Sequence, residues 1–424
     1  MIKFNWETEF KKTEIGEIPR EWEVKKIKEV GEIAGGTTPS TKKKEYWDGR
    51  IPWLTPKDLR DYEYVYISRG ERNITEKAVK ECSLKFFPEG TVLLTTRAPI
   101  GYVAIAKNRI TANQGFRNIV PHKIKSEYLY YYLKNVTDYL KSLAGGSTFG
   151  ELTGTTLKEV LIPYPPPEEQ SRIATVLSWF DDLIENKKRQ NEILEKVAMA
   201  IFKSWFVDFE PFKDEEFGYS EELGKEIPMG WEVDFATRLI DYNPSIRLEK
   251  EEVYPFVEMK QVYTNSAVCE FSFRKFNGSG VKYYGGDTLM ARITPSLEHG
   301  KTAFVWFISE NEKGFGTTEF FVLHPKKSWL KEFIYLLAKN EDFRDTAINS
   351  MTGTSGRQRA DVEALKSYLI PIPPPLIFQK FHSLVEPLFQ KIILNQKQTM
   401  ILRKIRDTLL PKLVFGKLRV EVLR

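Results

Sequence analysis

The chain has 424 residues, of which 42% are hydrophobic and 13% aromatic, so it holds material for several cores. A single core rarely grows past about 250 to 300 residues, which makes division into domains the expectation. Charged residues at 29% and a formal charge of +5 fit a soluble protein, and that charge is too small to establish a nucleic-acid partner by itself. Cys82 and Cys269 have no CxxC partner, which argues against a disulfide framework or a cysteine zinc site and fits a reducing cytoplasm. His122, His299, His324 and His382 form no HExxH and no pair at ligand spacing. Neither a cleavable signal nor an apolar run near the roughly 18 residues of a membrane helix is present, so a cytoplasmic protein without a membrane partner is expected.

In chain order, the first feature is "GEIPREWEV" (residues 16–24), which returns as "GKEIPMGWEV" (224–233). Next, "TKKKEYWDGR" (41–50) sets Lys42, Lys43 and Lys44 beside Tyr46 and Trp47, followed by Arg50, Lys57 and Arg60. Basic side chains in this number suit phosphates, and arginine or lysine can also read base edges. A solvated face is the plainer reading of the lysine run alone. The surrounding stretch, 38–66, has no near match later in the chain.

Further along, "GTVLLTTRAPIG" (90–101) has a looser partner in "GDTLMARITPSLEHG" (286–300), and "EYLYYYLKN" (127–135) is matched by "EFIYLLAKN" (332–340). "GGSTFGELTG" (145–154) corresponds to "MTGTSGRQRA" (351–360), and "LKEVLIPYPPP" (157–167) to "LKSYLIPIPPP" (365–375). Matched segments in one order indicate a duplicated unit. The second copy offers a thinner basic set: Arg274, Lys275, Lys282 and Arg292. Runs such as "TVLLTT" and "GYVAIA" read as strands, and 126–143 and 329–343 carry helical periodicity, so each copy is expected to be a mixed α/β domain.

Each proline run is expected to be a rigid exit, near polyproline II geometry, into a long helix free of proline. Glu168 and Glu169 sit where a helix N-terminus favours negative charge, whereas Leu376 and Ile377 bring none. Apolar residues then fall at Ile173, Val176, Phe180, Leu183, Leu194, Val197 and Ile201, and at Phe381, Leu384, Leu388, Ile392, Leu402, Ile405 and Leu409. This spacing of about 3.5 is a coiled-coil seam, with Asn186 and Asn395 at corresponding places in its polar patches. About 40 residues make a rod on the order of 60 Å long. The expected fold is thus mixed α/β: two duplicated globular domains (1–160 and 212–368), joined by two long helices (168–208 and 376–412) in an antiparallel coiled coil with pseudo-twofold symmetry, and a C-terminal tail (413–424). The alternative folds each helix back onto its own domain.

Catalytic signatures are missing. "DYNPS" (241–245) is not an [ND]PPY motif, "FNGSG" (276–280) reads as a turn, and "GSTFGEL" (146–152) lacks the Lys-Ser/Thr of a phosphate loop. Glu258 and Lys260 with Asp241 supply nuclease residue types without a nuclease context. No catalytic, cofactor-binding or metal residue is assigned.

Across essentially its whole length the chain resembles the specificity subunit of a type I restriction-modification system. The resemblance rests on "TEIGEIPREWEV" (13–24), "TANQGFRNIVP" (111–121), "LIPYPPPEEQSRI" (161–173), "GFGTTEFFVLHP" (314–325), "LIPIPPP" (369–375) and "PKLVFGKLRV" (411–420), in that order. It implies two target-recognition domains, each facing one half of a split, asymmetric double-stranded DNA target, with a helical rod that sets the gap. It also implies a subunit without catalysis of its own. Two modification (methyltransferase) subunits would bring S-adenosylmethionine, and restriction subunits would bring ATP and magnesium for translocation and cleavage. The second join reads "PPPLIFQ" rather than "PPPEEQ", and "NQGF" (113–116) appears as "TTEF" (317–320); both of these last segments are expected to shape the domain rather than read bases. The competing readings are a coiled-coil adaptor holding two protein partners and a stand-alone adenine DNA methyltransferase.

Overall fold

In each copy the Trp-Glu-Val motif and the Leu-Ile-Pro motif are two strands of one ribbon. Glu23–Lys26 pairs antiparallel with Leu161–Tyr164, setting Val24 opposite Pro163, and Glu232–Phe235 pairs with Leu369–Ile372, setting Val233 opposite Pro371. A two-stranded ribbon leaves free edges, where a residue without an N–H is tolerated. Pro163 and Pro371 are therefore strand residues, and Pro165–Pro166 and Pro373–Pro374 make the join between strand and helix. Only the last proline of each run belongs to the helix that follows, Pro167–Phe206 in one case and Pro375–Val414 in the other. Proline fits the first helical position because its missing donor would have been unpaired there.

The computed structural model describes residues 2–6, 8–60, 62–145, 150–354 and 356–422, so residues 146–149 of the "GSTFGEL" motif lie outside the described residues. It comprises two units, 1–185 with 400–424, and 186–399. In the first unit a five-stranded sheet runs in the order Gly31–Gly35, Arg117–Pro121, Val92–Thr96, Ile100–Ala106, Tyr66–Ile67. The second unit repeats the first four positions as Ile240–Tyr242, Phe320–Pro325, Thr288–Ala291 and Thr302–Phe304. Helices Ser126–Asn135 and Lys331–Lys339 bury the apolar and aromatic residues of the matched "EYLYYYLKN" and "EFIYLLAKN" segments. The fold is mixed α/β and duplicated. Among the described residues no helix is long and apolar enough to cross a membrane.

The long helices run antiparallel within each unit. In the first, Ile173 and Leu413 share one core, and Asp181 accepts from Tyr131 Oη at 2.7 Å and from Arg406. In the second, Asn191 meets Asn395 at 2.9 Å, and Phe206 stacks on Phe378 with ring centroids 5.6 Å apart. Ascending numbers on one helix thus meet descending numbers on the other. Each half-helix also packs on the globular part of its unit: Phe202 and Phe206 contact Phe333, and Val176 and Leu177 share a core with Tyr128 and Tyr131.

This double packing displaces the seam. Ile173, Val176, Phe381 and Ile392 are buried, and Phe180, Leu194, Ile201, Leu388, Leu402 and Leu409 are partly buried. Leu183, Val197, Leu384 and Ile405 are instead 50%, 43%, 49% and 41% exposed, so they do not belong to the buried seam. The buried face runs through Leu177, Asp181 and Ile184, then Asn191, Glu195, Ala198, Phe202 and Phe206, with Phe378, Val385 and Phe389 on the second helix. A seam covered only by another helix would be a narrow stripe of period 3.5; a face shared with a domain is wider and keeps the ordinary helical period. Asn186 is exposed and accepts from Gln190, and it is Asn191 that meets the buried Asn395. The second helix is not free of proline: it runs unbroken through Pro387 and Pro411.

The helix entrance and the C-terminus also differ from expectation. Glu169 is buried, and it accepts from Trp22 Nε1 at 2.9 Å and from Arg419, so its charge is held by partners rather than by the helix end alone. Ile377 takes the corresponding place in the second copy, where Trp231 packs among Phe206, Phe209 and Phe212 instead. Residues 413–424 are not merely a tail. The helix reaches Val414, and Arg419–Val422 pairs antiparallel with Ile2–Asn5.

Phe381 has no exposed surface and lies in the ring cluster of Phe202, Trp205, Phe206 and Phe333. Phe381→Ala is expected to lower unfolding free energy by about 3–5 kcal/mol. Leu384→Asp, three residues away on the exposed face, should cost about 0.5 kcal/mol or less. Chemical denaturation of the two variants checks the position of the seam, and the reverse order would restore the narrower stripe.

Candidate nucleic-acid interface

Beside the main sheet, each unit carries a second sheet built on one plan. Trp47–Leu54 pairs antiparallel with Arg72–Ile74 and parallel with Thr111–Ala112. Val253–Val257 pairs antiparallel with Ser272–Lys275 and parallel with Lys313–Gly316. The registers set Trp53 beside Thr111 and Phe256 beside Phe315, which aligns "PWLTPKDL" (52–59) with "PFVEMKQV" (255–262). Residues 52–59 of the stretch 38–66 therefore do have a counterpart in the second copy. Only a proline and a lysine are shared, too little for the letters alone to reveal it.

After each of these strands comes a capped turn. In the first unit Asp58 accepts from Thr55 N at 2.6 Å and Thr55 Oγ1 at 2.7 Å, closing the 3-10 turn Pro56–Leu59, and also from Glu71 N at 2.7 Å. Leu59 is buried, which leaves Lys57 and Arg60 exposed. Gly70 lies so close that an added Cβ would stand 2.6 Å from the Asp58 carboxyl carbon, so a side chain there would push the capping carboxylate aside. In the second unit Gln261 accepts from Glu258 N at 2.8 Å to close the turn Met259–Gln261.

Against the first turn lies an open cavity of about 380 Å³, lined by Lys57, Arg60, Arg97, Asn113 and Gln114 among others. A cavity of about 290 Å³ in the second unit is lined by Arg274, Lys275, Asn277, Thr317 and Thr318 beside Phe256. The two share one place in the plan, the loop that follows the parallel strand. Asn113 N donates to Leu54 O at 2.8 Å, and Thr317 N to Val257 O at 3.2 Å.

The sequence-predicted basic residues divide accordingly. Lys57 and Arg60 meet at the first cavity; Lys42, Lys43, Lys44 and Arg50 are exposed but do not line it. Lys43 is partly committed: its Nζ donates to Tyr46 Oη at 2.9 Å and stands 3.7 Å from Glu81, and the tyrosine hydrogen bond holds its pKa above the ordinary lysine value. Lys57 pairs with Glu71 at 2.8 Å, which raises its pKa in the same way. In the second unit Arg274 lies 4.3 Å over the Phe256 ring and pairs with Glu258, whose carboxyl is held below the usual range by Lys260 and Arg274. Lys275 stands 4.0 Å from Glu251, and Lys282 stands 5.6 Å from the Phe276 ring. Arg292 does not line the second cavity. It is half-buried, donates to Ala360 O at 3.2 Å and covers Phe321, so it braces the domain.

Sequence reasoning missed Arg97, Gln114, Asn277 and Thr318. The available signal was "NQGF" against "TTEF", since the same place in two copies carries different polar residues. Phe116 and Phe320 of those segments are buried and do shape the domain, while Gln114 and Thr318 are exposed. Among the described residues no group of three or more His, Cys, Asp or Glu could hold a metal ion.

Residues 19–196 and 235–402 match the model of the type I restriction modification DNA specificity domain. The chain is 54% identical over 438 aligned residues to the type I restriction enzyme MjaIX specificity subunit of Methanocaldococcus jannaschii, covering 100% of this chain and 99% of that one. It is 33% identical over 189 residues to the EcoR124I/EcoR124II specificity subunit of Escherichia coli, covering 42% and 45% of the two chains. A crystal structure of the type I restriction-modification S subunit from M. genitalium shares the fold at 20% identity, with a TM-score of 0.52 over 93% of this chain and 96% of that one.

The capped turn generates a prediction. Asp58 holds three donors, and a hydrogen bond to a charged acceptor contributes more than a neutral one. Asp58→Ala should lower stability by about 2 kcal/mol, whereas Asp58→Asn, which retains an acceptor oxygen, should cost less. Thermal or denaturant unfolding reads both; equal losses would mean that the turn does not depend on the acceptor.

Proposed function

Since the chain belongs to the type I restriction modification DNA specificity family, we propose that its two units divide the reading of DNA between them, each taking one half of a two-part target. Recognition of DNA sequence is the function of the chain as a specificity subunit. One observation carries the division of labour: both units build the same strand, capped turn and loop, yet present different side chains from it. A common frame with different polar ends suits the reading of two different half-sequences.

In this reading Lys42, Lys44 and Arg50 meet phosphates, while Lys57 and Arg60 at the first cavity, with Arg274 and Lys275 at the second, lie nearer the base edges. Phosphate contacts position the protein and base contacts specify the sequence. The long helices set the gap between the halves and recruit the modification subunits. The subunit performs no chemistry: S-adenosylmethionine serves the methyltransferase subunits, and ATP with magnesium serves the restriction subunits. The protein works as part of a type I restriction-modification complex on double-stranded DNA.

The test is reconstitution with the modification subunits, followed by mapping of methylated adenines. Exchanging residues 14–155 for those of a relative should change one half of the methylated target and preserve the other; a change in both halves would overturn independent reading. Lengthening or shortening both helices should alter the gap and keep both halves. Each phosphate contact contributes about 0.9 to the slope of log affinity against log salt. Replacing Lys42, Lys43 and Lys44 together by alanine should reduce that slope by about two, because Lys43 is partly engaged by Tyr46 and Glu81. An unchanged slope on both cognate and scrambled duplexes would make the lysine run a solvated face.

A further inference from the structure

We propose that Gln114 in the first unit and Thr318 in the second are specificity-determining side chains that touch base edges, and that Gln114 reads an adenine. The inference rests on the DNA-reading function above and places it at one position of the fold.

The backbone around Gln114 is pinned from several sides. Asn113 N bonds Leu54 O at 2.8 Å, Thr37 N bonds Ala112 O at 2.9 Å, and Thr96 N bonds Gly115 O at 2.9 Å. The Asn113 side chain accepts from Gly115 N at 2.9 Å, closing the loop on itself. Gly36 packs so closely beneath it that an added Cβ would stand 2.2 Å from the carbonyl oxygens of Ala112 and Asn113. Ala112, Gly115 and Phe116 are buried, whereas Gln114 is exposed. A side chain raised on so fixed a base loses little freedom on contact, which is what a reader of base edges requires.

The chemistry of the site fits base recognition. Thr38 Oγ1 donates to Gln114 Oε1, orienting the amide and leaving its NH₂ and one oxygen lone pair available. An amide that both donates and accepts matches N7 and the N6 amino group of adenine in the major groove. Arg60 and Arg97 line the same cavity, and neither has an ion-pair partner among the described residues. Guanidinium groups in that position suit a neighbouring guanine or the flanking phosphates.

The second unit supplies an independent observation. Its registers bring Thr317 and Thr318 to the places of Asn113 and Gln114. Phe320 is buried like Phe116, so the frame is retained. The bond that ties the loop to its neighbouring strand is repeated, from Asn113 N to Leu54 O and from Thr317 N to Val257 O, while the loop-closing Asn113 and Gly115 become Thr317 and Glu319 and the outward group changes from an amide to a hydroxyl and methyl. A kept strand bond with a different exposed tip is expected where two copies discriminate different bases.

The experiment uses the full chain reconstituted with its modification subunits and a duplex library randomised in each half of the target. Gln114→Ala should reduce discrimination at one position of the first half about ten-fold or more, since a good bidentate base contact is worth about that much. Gln114→Glu, which keeps the acceptor and loses the donor, should shift preference at that same position from adenine towards cytosine. Thr318→Val should relax one position of the second half only. Melting temperatures of the variants identify any that fail to fold, and the remaining variants then decide the question. If folded Gln114 variants bind all sequences more weakly with the selectivity of the wild type, or relax no position, the proposal is overturned. If the unmodified protein directs methylation without any two-part preference, the proposed division of reading fails instead, and the outcomes are distinct.

Discussion

A helix of 40 residues with apolar side chains along its length is stable only where something covers them, and this requirement organises both units. Each unit meets it twice over, with the antiparallel partner helix on one side and the helices of the globular part on another. The aromatic cluster of Phe202, Phe206, Phe333, Phe378 and Phe381 joins all three in the second unit. In the first, Ile173, Tyr128 and Leu413 do so. The helices are therefore not struts attached to finished domains. Each domain is completed by parts of both helices.

Polar groups inside this packing add direction to it. Asn395 is fully buried and bonds Asn191, and the buried Asp181 accepts from Tyr131 and Arg406. Sliding one helix by a turn would leave the Asn395 amide nitrogen or the Asp181 carboxylate buried without its partners, which costs more than such contacts add when made. Apolar contacts tolerate small slips; these do not. A defined register matters for a protein whose proposed work depends on holding reading surfaces in fixed places.

The surface sheets follow a different economy. Their frame is repeated through strand pairing and capped turns. Thr55 with Asp58 and Glu258 with Gln261 cap the same turn with different chemistry. Side chains can then be exchanged at the exposed positions without disturbing the fold. This separation of frame from tip suits the two recognition tasks proposed for the two units. Arg292 shows the limit of reading charge alone, because a guanidinium over Phe321 and bonded to Ala360 O is spent on the domain.

The sequence by itself determined the duplication, the mixed α/β character and the two long helices, because these are written in ordered repeats and in periodicity. It also determined the family resemblance, carried by motifs in one order. Tertiary structure decided which helix face is buried. Spacing alone pointed to a narrow seam through Leu183, Val197, Leu384 and Ile405, and the domains, by covering part of each helix, moved that seam elsewhere. Tertiary structure likewise decided that Glu169 serves Trp22 and Arg419, and that the last residues pair with the first, since those partners lie far apart in the chain. The match between 52–59 and 255–262 was hidden for a related reason: strand register and turn caps preserve geometry while nearly every letter changes. Gln114 and Thr318 stood in plain view among the three differing positions of two matched motifs, but only the folded frame shows that they are exposed on a loop bonded to its neighbouring strand.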